Sequence, residues 1–162
     1  MKKLLSLILT AAAVFSLASC GGIEEEFLDN SYVYISDGSG NSSATVIDDK
    51  KFNPFTLWVT FSSAKTDLDG TVEVYYEAVA DGLKEGVDYT IKTESKSPLK
   101  FTPGNYVVPL RIVWEYKTPN EGTLTIKLKG SNLSPYLQMG YPGMSASTNK
   151  STFVFTKKSS GN

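Results

Sequence analysis

The chain contains no histidine, one cysteine (Cys20) and one arginine (Arg111). Without histidine there can be no Ser-His-Asp or Cys-His catalysis and no His-Cys zinc site. A lone cysteine excludes an internal disulfide, so stability has to come from packing. An apolar run long enough for a membrane helix is missing too. The longest, from Leu4 to Phe15, is about twelve residues, against the roughly twenty that span a bilayer. Clustered basic charge is also lacking. The formal charge is −1, and it becomes −3 once Lys2 and Lys3 are removed with a leader, so nucleic acid is not an expected partner.

What is present begins with Lys2-Lys3, the apolar run and the small-residue stretch Ser16-Leu17-Ala18-Ser19-Cys20. This is the layout of an export signal. Leu17-Ala18-Ser19-Cys20 resembles the lipobox of bacterial lipoproteins, in which the cysteine thiol takes a diacylglycerol and cleavage follows just before it. The resemblance implies that residues 1–19 are a signal peptide and that Cys20 is the site of lipid attachment. Acyl chains at about 0.8 kcal/mol per buried methylene then hold the protein to a membrane, provided there are two or more. Gly21 rather than Asp follows the cysteine, which favours the outer membrane. Glu24-Glu25-Glu26 resembles the acidic export signal of Bacteroidota surface lipoproteins and implies display outside the cell. A solvated acidic linker over residues 20–30 is the other reading.

From residue 31 to 158 the apolar pattern has period two, broken every eight to twelve residues by Gly, Pro, Asn and Asp. That pattern predicts an all-β domain, a sandwich or barrel of about seven or eight strands. In Phe55-Thr56-Leu57-Trp58-Val59-Thr60-Phe61 the apolar face is Phe55, Leu57, Val59 and Phe61, and Trp58 stands on the polar side. Val72, Val74 and Tyr76 alternate with Glu73, Tyr75 and Glu77, and Leu124, Ile126 and Leu128 alternate with polar residues. Further strands are predicted at Tyr32 to Ile35, Asp88 to Thr93, Leu99 to Thr102, Tyr106 to Val113 and Thr152 to Thr156. Pro109 cannot donate to a ladder, so its strand should be an edge or carry a bulge there. Residues 131–150, rich in Ser, Gly, Pro and Asn, read as a long loop.

Gly86-Val87-Asp88-Tyr89-Thr90 followed by Leu99-Lys100-Phe101-Thr102-Pro103-Gly104-Asn105 resembles Calx-beta domains, with their G-x-D-Y-T and L-x-F-x-P-G-E pattern. The resemblance implies an immunoglobulin-like antiparallel β-sandwich. Some Calx-beta domains bind calcium through an acidic loop after the strand that follows the Pro-Gly turn. Here that segment runs from Trp114 to Gly122 and offers two carboxylates, Glu115 and Glu121, while Asn105 replaces the family glutamate. Calcium takes six to eight oxygens, so neither a metal nor another cofactor is expected. Asp67-Leu68-Asp69-Gly70 reads as a turn between strands rather than a calcium loop.

Glu73 and Glu77, on one strand face, lie roughly 13 Å apart, wider than the ~5–9.5 Å that paired glycosidase carboxylates need. The expectation is therefore a non-catalytic surface module that binds a glycan or a protein partner. A structural or adhesive subunit of a surface assembly is the alternative, working through strand addition. Candidate ligand contacts are Trp58 and Tyr75 on outward strand faces, with Trp114, Tyr136 and Tyr141 near loops. For each, packing within the sandwich is the competing role.

Overall fold

The computed structural model describes residues 31–47, 53–63, 68–116, 118–145 and 147–159. The leader, Cys20, the Glu24-Glu25-Glu26 run and Asp67 lie outside the described residues.

Runs rich in Val, Ile, Phe, Tyr and Thr form ten strands: β1 (Tyr32–Ser36), β2 (Ser43–Ile47), β3 (Phe55–Ser62), β4 (Val72–Asp81), β5 (Tyr89–Ile91), β6 (Leu99–Phe101), β7 (Val107–Trp114), β8 (Gly122–Ser131), β9 (Gln138–Met139) and β10 (Thr152–Lys158). They make two five-stranded sheets, β5-β7-β3-β1-β9 and β2-β10-β8-β4-β6. All pairings are antiparallel except β1 with β9 and β2 with β10, which are parallel. The sequence pattern does not announce β2 or β9. Ile47 points outward and blurs the alternation of β2, and β9 is two residues inside the predicted 131–150 loop.

The inward faces interdigitate as their period-two patterns require. Leu57, Val59 and Phe61 of β3 and Val108, Leu110 and Ile112 of β7 meet Val72 and Val74 of β4, Leu124 and Ile126 of β8, and Phe153 and Phe155 of β10. Phe155 anchors one end, with ring centroids 5.0 Å from Phe55 and 4.8 Å from Phe153. A bulge between Tyr75 and Tyr76 interrupts the β4–β8 register. On the other side of β4, beyond the end of β6, the Tyr76 amide donates to Ser97 Oγ at 3.1 Å.

Pro109 is accommodated without making β7 an edge along its whole length. β5 flanks β7 only from Ile112 to Trp114, so the missing N–H faces an open stretch. The neighbouring groups there are met by Ser95, whose Oγ donates to the Pro109 carbonyl at 3.2 Å and accepts the Arg111 amide at 2.9 Å. The Pro103-Gly104 turn closes through the Asn105 amide on the Thr102 carbonyl at 2.8 Å, with Gly104 at φ 79°. That conformation is costly for residues with a Cβ.

Candidate functional site

The outward positions of β1 and β3 carry Tyr32, Tyr34 and Ser36, and Thr56, Trp58, Thr60 and Ser62. None is charged. The opposite sheet differs: its outer face is a charge mesh in which Lys100 meets Glu73 at 3.2 Å and Lys129 meets Glu77 at 3.0 Å. Trp58 stands on the β1–β3 face between Ser36 of β1 and Pro109 of β7, and the charges nearest along β7 are the paired Arg111 and Glu94 beside Thr56. Trp58 is 38% exposed, and Val107, beyond Pro109 on the same outward row, is 43% exposed. An indole left open to water beside proline and valine, in a field of hydroxyls, presents a flat apolar surface with polar neighbours.

The turn at residues 37–41 lies beside this platform. The Asp37 carboxylate holds the turn by accepting the amides of Ser39 (2.9 Å) and Asn41 (2.8 Å) and the Asn41 side-chain NH₂ (2.9 Å). These bonds outweigh the opposing effect of burial and keep its carboxyl below the ordinary value. A Cβ at Gly38 would sit 3.9 Å from Trp58 Nε1, and one at Gly40 would sit 3.9 Å from Lys150 Nζ. The same turn therefore separates the indole from a lysine.

Lys150 belongs to the segment that runs from β9 to β10. Its ends are pinned to β1: the Val33 carbonyl accepts the Gly140 amide (2.6 Å), and the Ile35 amide donates to the Lys150 carbonyl (2.9 Å). Pinned in this way, the segment lays Tyr141 over β1, stacked on Tyr34 with centroids 4.8 Å apart and tilted on Tyr32 at 5.5 Å. Lys150 Nζ stands 5.2 Å from the Tyr141 ring centroid, a cation–π arrangement. Burial first, then the neighbouring Tyr34 hydroxyl, push the Tyr141 phenol up, so it remains a neutral hydrogen-bonding group.

A second organised cluster lies inside the sandwich. Asp88 is fully buried, and its carboxylate accepts the Lys84 amide at 2.9 Å and the Asn120 NH₂ at 3.0 and 3.1 Å. Lys157 Nζ, also buried, lies 3.6 Å from Asp88 Oδ1 and donates to the carbonyls of Asn120 (3.1 Å) and Thr118 (3.3 Å) and to Thr118 Oγ1. Burial would raise the Asp88 carboxyl, but the hydrogen bonds from Lys84, Thr118 and Asn120 and the Lys157 charge outweigh it and hold it low. The 114–122 segment, where the Calx-beta resemblance places calcium ligands, here turns two carbonyls onto an ammonium. Among the described residues no group of three or more His, Cys, Asp or Glu could hold a metal.

Of the sequence-predicted contacts, Trp58 and Tyr141 lie on one sheet face. Tyr75 projects from the opposite sheet, where its hydroxyl donates to Glu73 Oε2 at 3.1 Å. Tyr136 is exposed on the stretch between β8 and β9. Trp114 is a correction: it is 3% exposed, T-shaped against Phe155 at 5.3 Å and tilted on Tyr89 at 5.8 Å. It belongs to the core because it continues the inward row Val108, Leu110, Ile112 by one further step of two. Tyr32 and Tyr34 were missed, although the same parity that singled out Trp58 places them outward.

No family model matches the chain, and no curated protein matches it in sequence. Its fold does have solved counterparts. The chain is similar to the apo-form Calx CBD1 domain, with a TM-score of 0.53 and 14% identity over 84% of this chain and 100% of that one. It is likewise similar to CBD12 from CALX1.2, with a TM-score of 0.53 and 17% identity over 79% of this chain and 45% of that one. The described residues have a Calx-beta-like β-sandwich fold.

Proposed function

We propose that this protein is a non-catalytic, surface-displayed lipoprotein, tethered through Cys20 to the outer membrane, whose sandwich captures a glycan on the outer face of β1, β3 and β7. The observation that carries this reading is Trp58, an indole open to solvent on a face whose β1 and β3 positions bear hydroxyls and no charge. Sugar rings present C–H faces that stack on such a ring, and hydroxyls that pair with Thr, Ser and Tyr. Against catalysis, Glu73 and Glu77 are each engaged by a lysine on the opposite sheet.

A glycan array and affinity electrophoresis with the lipidated protein in non-ionic detergent test this reading. Retention by at least one polysaccharide is expected. Trp58→Ala should weaken it by about 30-fold or more, as for a central aromatic contact, while stability changes by no more than ~1 kcal/mol because the ring is partly exposed. Retention unchanged in the variant, or no glycan bound at all, sinks the reading. The tether is tested separately: labelled palmitate should enter the wild type and not Cys20→Ala, and equal labelling of both would defeat it.

A further inference from the structure

Lys150 is the one non-glycine residue at positive φ among the described residues, at 55°. Asn or Gly would occupy that backbone more cheaply, so the conformation gives no reason for a lysine. The residue is half-buried and its ammonium stands over Tyr141, and among the described residues no carboxylate lies within ion-pair range of it. Of the cations outward on the sheets, Lys100, Lys129 and Arg111 each have an acidic partner, Arg111 meeting Glu94 at 3.6 Å. Lys127 and Lys158, which have none among the described residues, are exposed where Lys150 is half-buried. The nearby Asp37 carboxylate is turned onto the N–H groups of its own turn. A cation on a tyrosine floor and without a counter-charge is arranged to receive an anion.

We infer that Lys150, with Tyr141 and Tyr34, forms an anion-reading subsite for a sugar carboxylate or sulfate ester on the glycan whose neighbouring ring stacks on Trp58. The subsite rests on the glycan reading above. The two stations flank a single turn, with Gly38 against the indole and Gly40 against the ammonium. They are therefore within the reach of one short oligosaccharide. The ammonium keeps N–H donors free for the acid group, and the phenols of Tyr34 and Tyr141 bind its ring hydroxyls. Net charge does not supply this attraction, because the chain as a whole is slightly acidic.

Affinity electrophoresis of the lipidated protein against polygalacturonate, its neutral methyl ester, dextran sulfate and dextran separates the outcomes. Preference for an acidic polymer over its neutral counterpart by roughly tenfold is expected, the scale of one charge-assisted hydrogen bond. The carboxylate and sulfate arms tell which acid is read. Lys150→Asn should abolish the preference at an unchanged or higher Tm, because asparagine tolerates positive φ, and Lys150→Arg should restore it. Equal retention of acidic and neutral polymers, or a preference that survives Lys150→Asn, overturns the subsite while leaving the Trp58 platform standing. Silence on all four polymers overturns the subsite too, and the glycan array then decides the platform alone.

Discussion

Asp88→Ala is expected to destabilise the protein by roughly 3–5 kcal/mol, the cost of leaving a buried charge without its partner. The stranded group is Lys157, whose ammonium would keep only the oxygens of Thr118 and Asn120. Lys157→Met should be similarly damaging, because the Asp88 carboxylate would retain uncharged donors alone. Combining Asp88→Ala with Lys157→Met should cost clearly less than the two single changes summed, since the coupling between them is removed once. Denaturant unfolding measures all three. Additive losses would show that the two groups do not act as a pair.

The same cluster contributes to the acid limb of stability. In the folded chain Asp88 is held below its ordinary value. Its contribution is complete above the unfolded carboxylate's pKa of about 3.9. It is lost as pH falls from there toward the folded value, because the unfolded chain takes up the proton first. Asp88→Asn should flatten the stability–pH slope in that window and leave it unchanged near neutrality. A slope identical to the wild type would refute the assignment.

Trp114→Ala is the second large effect, at about 3–5 kcal/mol for emptying a buried aromatic site. It removes the contacts with Phe155 and Tyr89 that close one end of the core. Glycan retention should fall only as far as the folded fraction falls, in contrast to Trp58→Ala, which should lose binding and keep its fold. Trp114→Phe should cost far less than Trp114→Ala. It keeps aromatic volume and removes an indole N–H that has no hydrogen-bond partner among the described residues. If Trp114→Ala instead kept the wild-type Tm and lost retention, the tryptophan would be a ligand contact after all.

The two tryptophans show how far parity alone can be read. Trp58 is legible because it interrupts a polar row between inward Leu57 and Val59. Trp114 is equally legible once the Val108-Leu110-Ile112 row is followed past Val113, and it was misplaced because the strand was ended there. Lys157 continues the inward row Phe153, Phe155. A lysine on an apolar row signals a buried partner, but which partner only the fold can say, because Asp88 lies far away in sequence. Lys150 had no such signal. It is placed over Tyr141 by a segment pinned to β1, and such a placement leaves no mark in residue type or spacing. β9 was illegible for a related reason: two residues cannot display a period.

The outer strands of the two sheets are short. β5 and β6 have three residues each, β9 has two, and only β2 reaches five. Unpaired backbone at a sheet margin is what templates fibrils and strand donation, and because β6 covers β4 only at Val72 to Val74 and β5 covers β7 only from Ile112, the far parts of β4 and β7 also stand at the margins. Packed densely side by side, copies of this domain would meet at broken margins: β2, the part of β4 beyond β6, and the part of β7 before β5, where Pro109 removes a donor.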